Sequence, residues 1–283
     1  MPPAIIDAHV HLWNPAELPL PWLAGIPALN QPFGLAEYQE ATTDVPIAGM
    51  VYVETDVAPQ FAVLEAERVV ALAPHAPHLR GIVAAAPVEY GAPTRAYLAA
   101  LQRLGPLIKG VRRNLQSETD PHFCLKDDFI TGVHLLADYD WSFDLCIRHD
   151  QLPAATELVR RSPQVRFVLD HLGKPPIRHQ QLDPWRDDLA RLAQLPNVWC
   201  KVSGVLTEAD PGQMRPADIA PYVAHALTVF GPARTLFGGD WPVLRLAASY
   251  QQWVRLLVEV LSSLAAEAQQ QFWGGTAQTV YRL

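Results

Sequence analysis

His9 and His11 stand one residue apart at the end of an apolar run, "AIIDAHVH", and two imidazoles at that spacing are the first chemistry the sequence offers. Strand side chains alternate faces, so the two rings are expected on one side with Asp7 below them on that same side. Further apolar runs end in groups of similar character: Glu54, Arg112 with Arg113, His149, His171, Ser203 and Asp240. Four of the ten histidines close such runs. Imidazoles and a carboxylate together suit one divalent ion, zinc or manganese, that keeps a position open for water. The ligand set this predicts is His9, His11, His149, His171 and Asp240. The same groups also work without a metal, Asp240 taking a proton from water while the histidines and an arginine polarise a carbonyl. Residue types alone leave both routes open.

Groups at the ends of several runs can meet only if the fold gathers those ends. Eight short β-rich runs are legible: "AIIDAHVH", "AGMVYVET", "LRGIVAAAPV", "IKGVRRNL", "WSFDLCIRH", "VRFVLDH", "NVWCKVSG" and "RTLFGGDW". Segments of helical spacing follow them, such as "LPAATELVRRS" and "PADIAPYVAHALTVF". Strand and helix alternate, and the strands are nearly continuous in apolar residues, as in a parallel sheet covered by helices. Eight such pairs in roughly 250 residues predict an α/β fold of the (β/α)8 TIM-barrel kind, in which all strand C-termini meet at one mouth. A doubly wound open sheet would carry a Gly-rich turn after its first strand, and "HVHLWNPAELPLPW" is not one. The 26 prolines are spread through the connections with no linker or repeat among them, so residues 1–283 read as a single domain. The long connection from Leu12 to about Ala48 is of a length that usually serves function, and the aromatics of "AAEAQQQFWGGTAQTVYRL" read as core.

Composition narrows the partner. With 49% hydrophobic and 18% charged residues the chain can bury a large core, and a net charge of -7 with no long basic run argues against nucleic acid and against an anionic membrane surface. No apolar run approaches the roughly 18 residues of a membrane helix. Three cysteines, two of them inside apolar runs, fit a reducing cytoplasm. A small molecule is the expected partner, and a homodimer the default assembly.

The motifs "DAHVHLW", "GVRRNLQ", "FDLCIRHDQLP", "FVLDHLGKPPI", "KVSGVLTEAD" and "LFGGDWPV" together resemble the amidohydrolase superfamily, and within it the sugar-lactonase branch that includes L-fuconolactonase and L-rhamnono-1,4-lactonase. The resemblance runs from about Ile5 to Leu283. It implies a distorted TIM barrel that opens a sugar-acid lactone, with a decarboxylase or an amidase of the same superfamily as the rival activities. Asp240 matches the general base, His9, His11 and His171 the metal or carbonyl-polarising positions, and Arg112 the arginine of the fourth strand. His149 falls where metal-dependent members carry a histidine. Lys109 does not look like the bridging lysine of two-metal members, so a single ion is expected. Glu54, Arg113 and Lys174 are expected to contact substrate, and Trp13 and Trp241, which flank the mouth in sequence, to cover a sugar ring or else to pack beneath the first loop.

Overall fold

The computed structural model describes residues 2–210 and 215–283. Its centre is an eight-stranded parallel sheet in the order of the chain: β1 (Ile5–Val10), β2 (Ile47–Val53), β3 (Leu79–Ala85), β4 (Ile108–Arg112), β5 (Ser142–Leu145), β6 (Arg166–Leu169), β7 (Val198–Val202) and β8 (Thr235–Phe237). Seven fall inside the runs read from the sequence and β2 begins one residue before its run, at Ile47, so the (β/α)8 expectation holds. The helices are α1 (Leu35–Ala41), α2 (Ala62–Leu72), α3 (Thr94–Gln102), α4 (Asp127–His134), α5 (Leu152–Arg161), α6 (Trp185–Ala193), α7 (Pro216–Phe230), α8 (Tyr250–Val260), α9 (Ala266–Gln270) and α10 (Thr276–Tyr281). Among the described residues, no helix is long and apolar enough to cross a membrane.

Local sequence explains the helices that coat the barrel. In α5 the buried residues are Leu152, Ala154, Ala155, Leu158 and Val159, the spacing that lays one stripe of a 3.6-residue helix on the sheet. Burying a leucine such as Leu158 stabilises by roughly 1.5–3 kcal/mol. The start of α8 is fixed by Ser249, whose hydroxyl accepts from Gln252 N at 3.2 Å while the Gln252 side chain accepts from Ser249 N at 2.7 Å.

Alternation along the strands divides the apolar residues into two sets. Tyr52 points outward, its hydroxyl donating to Glu65 of α2 at 2.9 Å, so Val51 and Val53 point into the barrel. There they pack with Ile6, Ala8, Val83, Val168 and Leu236, and the end of α10 closes the set from below through Ala277, Val280 and Tyr281. The C-terminal aromatics Phe272, Trp273 and Tyr281 are all buried, as read from the sequence.

The barrel is distorted where β8 meets β1. The seam is held near the mouth by Asp240 N donating to His9 O and His11 N to Trp241 O, both at 2.8 Å. Asp7 forms its lower tie, accepting from Gly239 N at 2.7 Å, Tyr250 Oη at 2.7 Å and Tyr38 Oη at 3.1 Å. This corrects the expectation that Asp7 lies under the two histidines. Between Asp7 and Val10, β1 slips register against β2, three residues on one strand matching two on the other. That bulge changes the phase of alternation, sending Asp7 outward to the tyrosines and His9 inward.

Candidate active site

The mouth draws its side chains from the ends of five strands. His9 Nε2 lies 3.2 Å from His11 Nε2 and 3.7 Å from Asp240 Oδ1, and His11 Nε2 lies 3.4 Å from Asp240 Oδ1. The ring of His171 is centred 4.5 Å from that of His9, and its Nδ1 lies 2.8 Å from Ser203 Oγ at the end of β7, which leaves Nε2 free. Among the described residues, two groups have ligand atoms close enough to share an ion: His9 with His11 and Asp240, and His9 with Asp170 and His171. His11 Nδ1 faces the carbonyl of Val53 at 2.8 Å, so it carries a hydrogen, and Nε2 is turned toward the Asp240 carboxylate. An imidazole nitrogen and a carboxylate oxygen 3.4 Å apart share a hydrogen or a cation between them, and with His9 Nε2 beside them the donor set fits a divalent ion.

Burial governs the charges here. It lowers the His171 imidazole to about 4 and holds that of His9 well below its usual range, so both rings are neutral near pH 7. Burial works to raise Asp240, but the neighbouring His171, with His11 and His9, outweighs it and keeps that carboxyl well below the usual carboxylate range. Neutral imidazoles around an ionised carboxylate are the protonation states a metal requires.

Backbone conformation sets the positions of these groups. His171, Leu172, Gly173 and Lys174 all have positive φ, and so does Asp240 at +53°. Left-handed backbone is unusual for leucine, and sparsely populated conformations cost about 1–3 kcal/mol each. The bend is held because Leu172 is buried and its carbonyl accepts from Trp185 Nε1 at 2.7 Å. Gly204, at φ +60°, faces the bend, and a Cβ there would lie 2.4 Å from His171 Nδ1 and 2.7 Å from Asp240 Oδ2. Gly204→Ala is therefore expected to displace both groups and lower kcat by about 10²-fold, the scale of a 1 Å misplacement. Steady-state kinetics with a parallel melting curve checks this; an alanine variant with wild-type kcat would show that His171 and Asp240 are not positioned by this contact.

Arg112 reaches the mouth from β4. Its Nε donates to Glu54 Oε1 at 2.5 Å, Nη2 to Glu54 O at 2.6 Å and Nη1 to Asp170 Oδ2 at 3.2 Å. Glu54 also accepts from Asp56 N at 2.6 Å, so it holds Arg112 from behind and does not line the cavity at the mouth. Arg113 turns to the other face, where it pairs with Glu89 at 2.8 Å and Glu118 at 2.6 Å. Alternation along β4 allows only one of the two arginines to face the mouth.

The cavity at the mouth has a volume of about 300 Å³. His11, Arg112, His171 and Asp240 line it together with the polar residues Asp56, Asn114, Gln116, Lys174 and Glu208 and the apolar residues Trp13, Trp22, Ile26, Val243 and Leu246. Trp13 is fixed in this lining by Nε1 donating to Leu29 O at 3.2 Å and Gln31 O at 3.1 Å. Trp241 is 1% exposed and packs on Phe33 and Tyr38, outside the cavity. Lys174 lines the cavity with its Nζ 3.7 Å from Glu208. His149 stands apart from the other histidines, because β5 stops at Leu145 and His149 lies in the following turn. It borders a neighbouring depression with Arg148 and His179, and Cys146 takes the cavity position after β5. Burial pushes the Cys146 thiol up to about 12, which leaves it unreactive.

Lys201 escaped sequence reasoning. This fully buried ammonium lies inside the barrel beneath His9, 3.0 Å from Asp144 Oδ2, 2.8 Å from Asp170 Oδ1 and 3.1 Å from His9 Nδ1. The period of two along "VWCKVS" was the available signal, since it puts Lys201 on the same face as Ser203.

A barrel with histidine and aspartate ligands gathered at its C-terminal mouth defines a class of metal-assisted hydrolases and lyases, and comparison with known families is specific. The family model described as Amidohydrolase matches residues 6–283, and the chain belongs to that family. An L-fucono-1,5-lactonase of Burkholderia multivorans is 40% identical over 191 residues, covering 63% of this chain and 64% of the relative. One from Burkholderia ambifaria is 34% identical over 194 residues, 66% of each chain. These matches thus span slightly less than two thirds of the relatives' own length. Across nearly the whole chain, the crystal structure of an amidohydrolase from Burkholderia multivorans with bound zinc superposes with a TM-score of 0.89 at 33% identity, covering 99% of this chain and 100% of that one.

Proposed function

We propose that the protein hydrolyses the ring ester of a sugar-acid lactone. The observation that carries this reading is the convergence of Asp240, His171 and Arg112 on a sugar-sized cavity lined by both polar and aromatic-aliphatic side chains. The polar side chains offer partners to ring hydroxyls, and the apolar ones suit a deoxy carbon or the less polar ring face. The two L-fucono-1,5-lactonases among its relatives favour a six-membered lactone of a 6-deoxy sugar acid as substrate. Three buried, unpaired thiols suit a reducing cytoplasm, where we place the protein.

His9, His11 and Asp240, with His171 beside them, would hold one divalent ion. Such an ion supplies Lewis acidity, polarising the lactone carbonyl and easing ionisation of water. The side chains divide the remaining work. Asp240, ionised and aimed into the cavity, accepts a proton from the attacking water as oxygen bonds to the carbonyl carbon. Arg112, locked by Glu54 and Asp170, and His171, oriented by Ser203, face the oxygen on which charge develops. When the carbon–oxygen bond of the ring breaks, the proton held by Asp240 passes to the leaving oxygen, giving a hydroxy acid. Trp13 and Lys174 contact the substrate in this arrangement, whereas Glu54, Arg113, Trp241 and His149 act away from it.

The test is acid release from a panel of L- and D-aldonolactones, measured with and without prior chelator treatment. Hydrolysis of a 6-deoxy-L-aldonolactone, lost on chelation and restored by zinc or manganese, is the expected result. Activity that survives chelation would assign catalysis to Asp240, His171 and Arg112 alone. No turnover of any lactone, with carbon dioxide released from an unsaturated or aromatic acid, would replace this reading with decarboxylation.

A further inference from the structure

The contacts around His9 fix which of its nitrogens carries hydrogen. An ammonium can only donate, so Lys201 Nζ, 3.1 Å from His9 Nδ1, requires a lone pair on Nδ1 and leaves the hydrogen on Nε2. The opposite end of the chain gives the same polarity. Val53 O can only accept, which puts a hydrogen on His11 Nδ1, and His11 Nε2 lies 3.2 Å from His9 Nε2 as the acceptor for its hydrogen. The bonds therefore run in one direction, from Lys201 through His9 and His11 to Val53. The His9 Nε2 hydrogen enters the space between His11 Nε2 and Asp240 Oδ1, where a cation would sit. Two longer contacts are of opposite sense: Arg112 Nη1, 3.4 Å from His9 Nε2, whose bond goes to Asp170 Oδ2 at 3.2 Å, and Asp170 Oδ1, 3.3 Å from His9 Nδ1.

A histidine with hydrogen on Nε2 cannot ligate through Nε2. To do so it must carry the hydrogen on Nδ1, facing away from the ion. A partner for that form is already in place: Asp170 Oδ1 is buried, 3.3 Å from His9 Nδ1, and shared with Lys201 Nζ at 2.8 Å.

We propose that Lys201 and Asp170 are opposed positioning residues for His9: Lys201 holds the tautomer that excludes a metal ion from Nε2, and Asp170 receives the Nδ1 hydrogen of the tautomer that binds one. The exchange conserves protons, since one N–H bond is lost at Nε2 and one is formed at Nδ1. Lys201 keeps its charge and its contacts with Asp144 and Asp170 in both states. The consequence is a bistable site whose ion is held less tightly than its donors alone would hold it. Partners of this kind typically change metal affinity by about 10–100-fold. The inference rests on the proposed metal site but not on the identity of the substrate.

The experiment is nitrogen-15 NMR of the wild-type protein labelled at histidine, with His9 assigned by difference against His9→Asn. Metal-free protein is expected to show His9 with hydrogen on Nε2, and zinc to move it to Nδ1. Metal-free His9 already carrying hydrogen on Nδ1, or no change of tautomer with zinc bound, would overturn the proposal. Zinc affinity, read by competition with a chromogenic chelator, is expected to rise at least 10-fold in Lys201→Met/Asp144→Asn, with the metal-free tautomer moved toward Nδ1–H. Tighter zinc without that tautomer change would reduce Lys201 to a repelling charge and also overturn it. Both readouts are independent of turnover, so a protein inactive on every lactone would sink the lactonase reading while leaving this one decided on its own data.

Discussion

Asp240→Asn is expected to lower kcat by at least ~10²–10³, the range attached to a general base or a well-aimed charge-stabilising group. Asparagine is the informative substitution for two physical reasons. It keeps the shape of the carboxylate while removing its ability to take a proton. It also tolerates the left-handed backbone that Asp240 adopts at φ +53°, a conformation in which most other residues would add strain of their own. The bonds from Asp240 N to His9 O and from His11 N to Trp241 O, which close the barrel, involve only backbone and should survive, so the melting temperature should change little. Metal content must be measured on the same sample, because Asp240 is also a candidate ligand. A variant that retains its ion and loses kcat with little change in KM places Asp240 in the proton transfer. One that loses both ion and rate places it first among the ligands. Near-normal turnover would sink the mechanism.

Much of this site was legible because strand ends in a parallel barrel converge wherever they lie in the sequence. His9, His11, Arg112, His171 and Asp240 sit at or just past the ends of runs whose apolar continuity marks them as strands, and the structure brings these residues together. What was not legible depended on phase and on distant partners. The bulge in β1 turns Asp7 away from the histidines, and no pattern of residue types announces a slipped register. The early end of β5 leaves His149 in a turn, although "DLCIRH" reads as continuous strand. Glu54 and Arg113 looked like substrate contacts because they are charged and near the mouth in sequence. Alternation along β4 already implies that one of its two arginines pairs with a carboxylate away from the mouth, but the partners Arg112, Glu89 and Glu118 come from separate positions along the chain, so the fold is needed to name them. Lys201 is the extreme case. A lysine in a strand normally signals a solvent-facing position, and only the simultaneous arrival of Asp144 from β5 and Asp170 from the end of β6 makes its burial tolerable.

That buried network carries the largest stability effect expected for a single substitution. Burial pushes Lys201 toward losing its proton, but Asp144 and Asp170 outweigh it and keep the ammonium charged. Burial raises the Asp144 carboxyl in spite of Lys201, whereas Lys201 and the neighbouring histidines hold Asp170 well below the usual range against the same burial. Asp144 Oδ2 also accepts from Tyr281 Oη at 2.6 Å, so the network ties β5, β6 and β7 to the C-terminal helix that plugs the barrel. Lys201→Met removes the ammonium shared by two buried carboxyls, leaving Asp170 to Arg112 and Asp144 with no cation beside it, and breaking a buried ion pair in this way typically costs about 3–5 kcal/mol. Against total stabilities of about 5–15 kcal/mol, this is a large fraction, visible as a shifted midpoint in urea at unchanged slope. Adding Asp144→Asn should recover part of the loss, because the neutral amide removes one carboxyl and still accepts from Tyr281. The expected coupling from the double-mutant cycle lies within the 0.5–3 kcal/mol found for residues sharing one network. A Lys201→Met protein within about 1 kcal/mol of wild type would mean that the ammonium contributes no net stability beside its carboxylates, and that its burial serves the histidine above it instead.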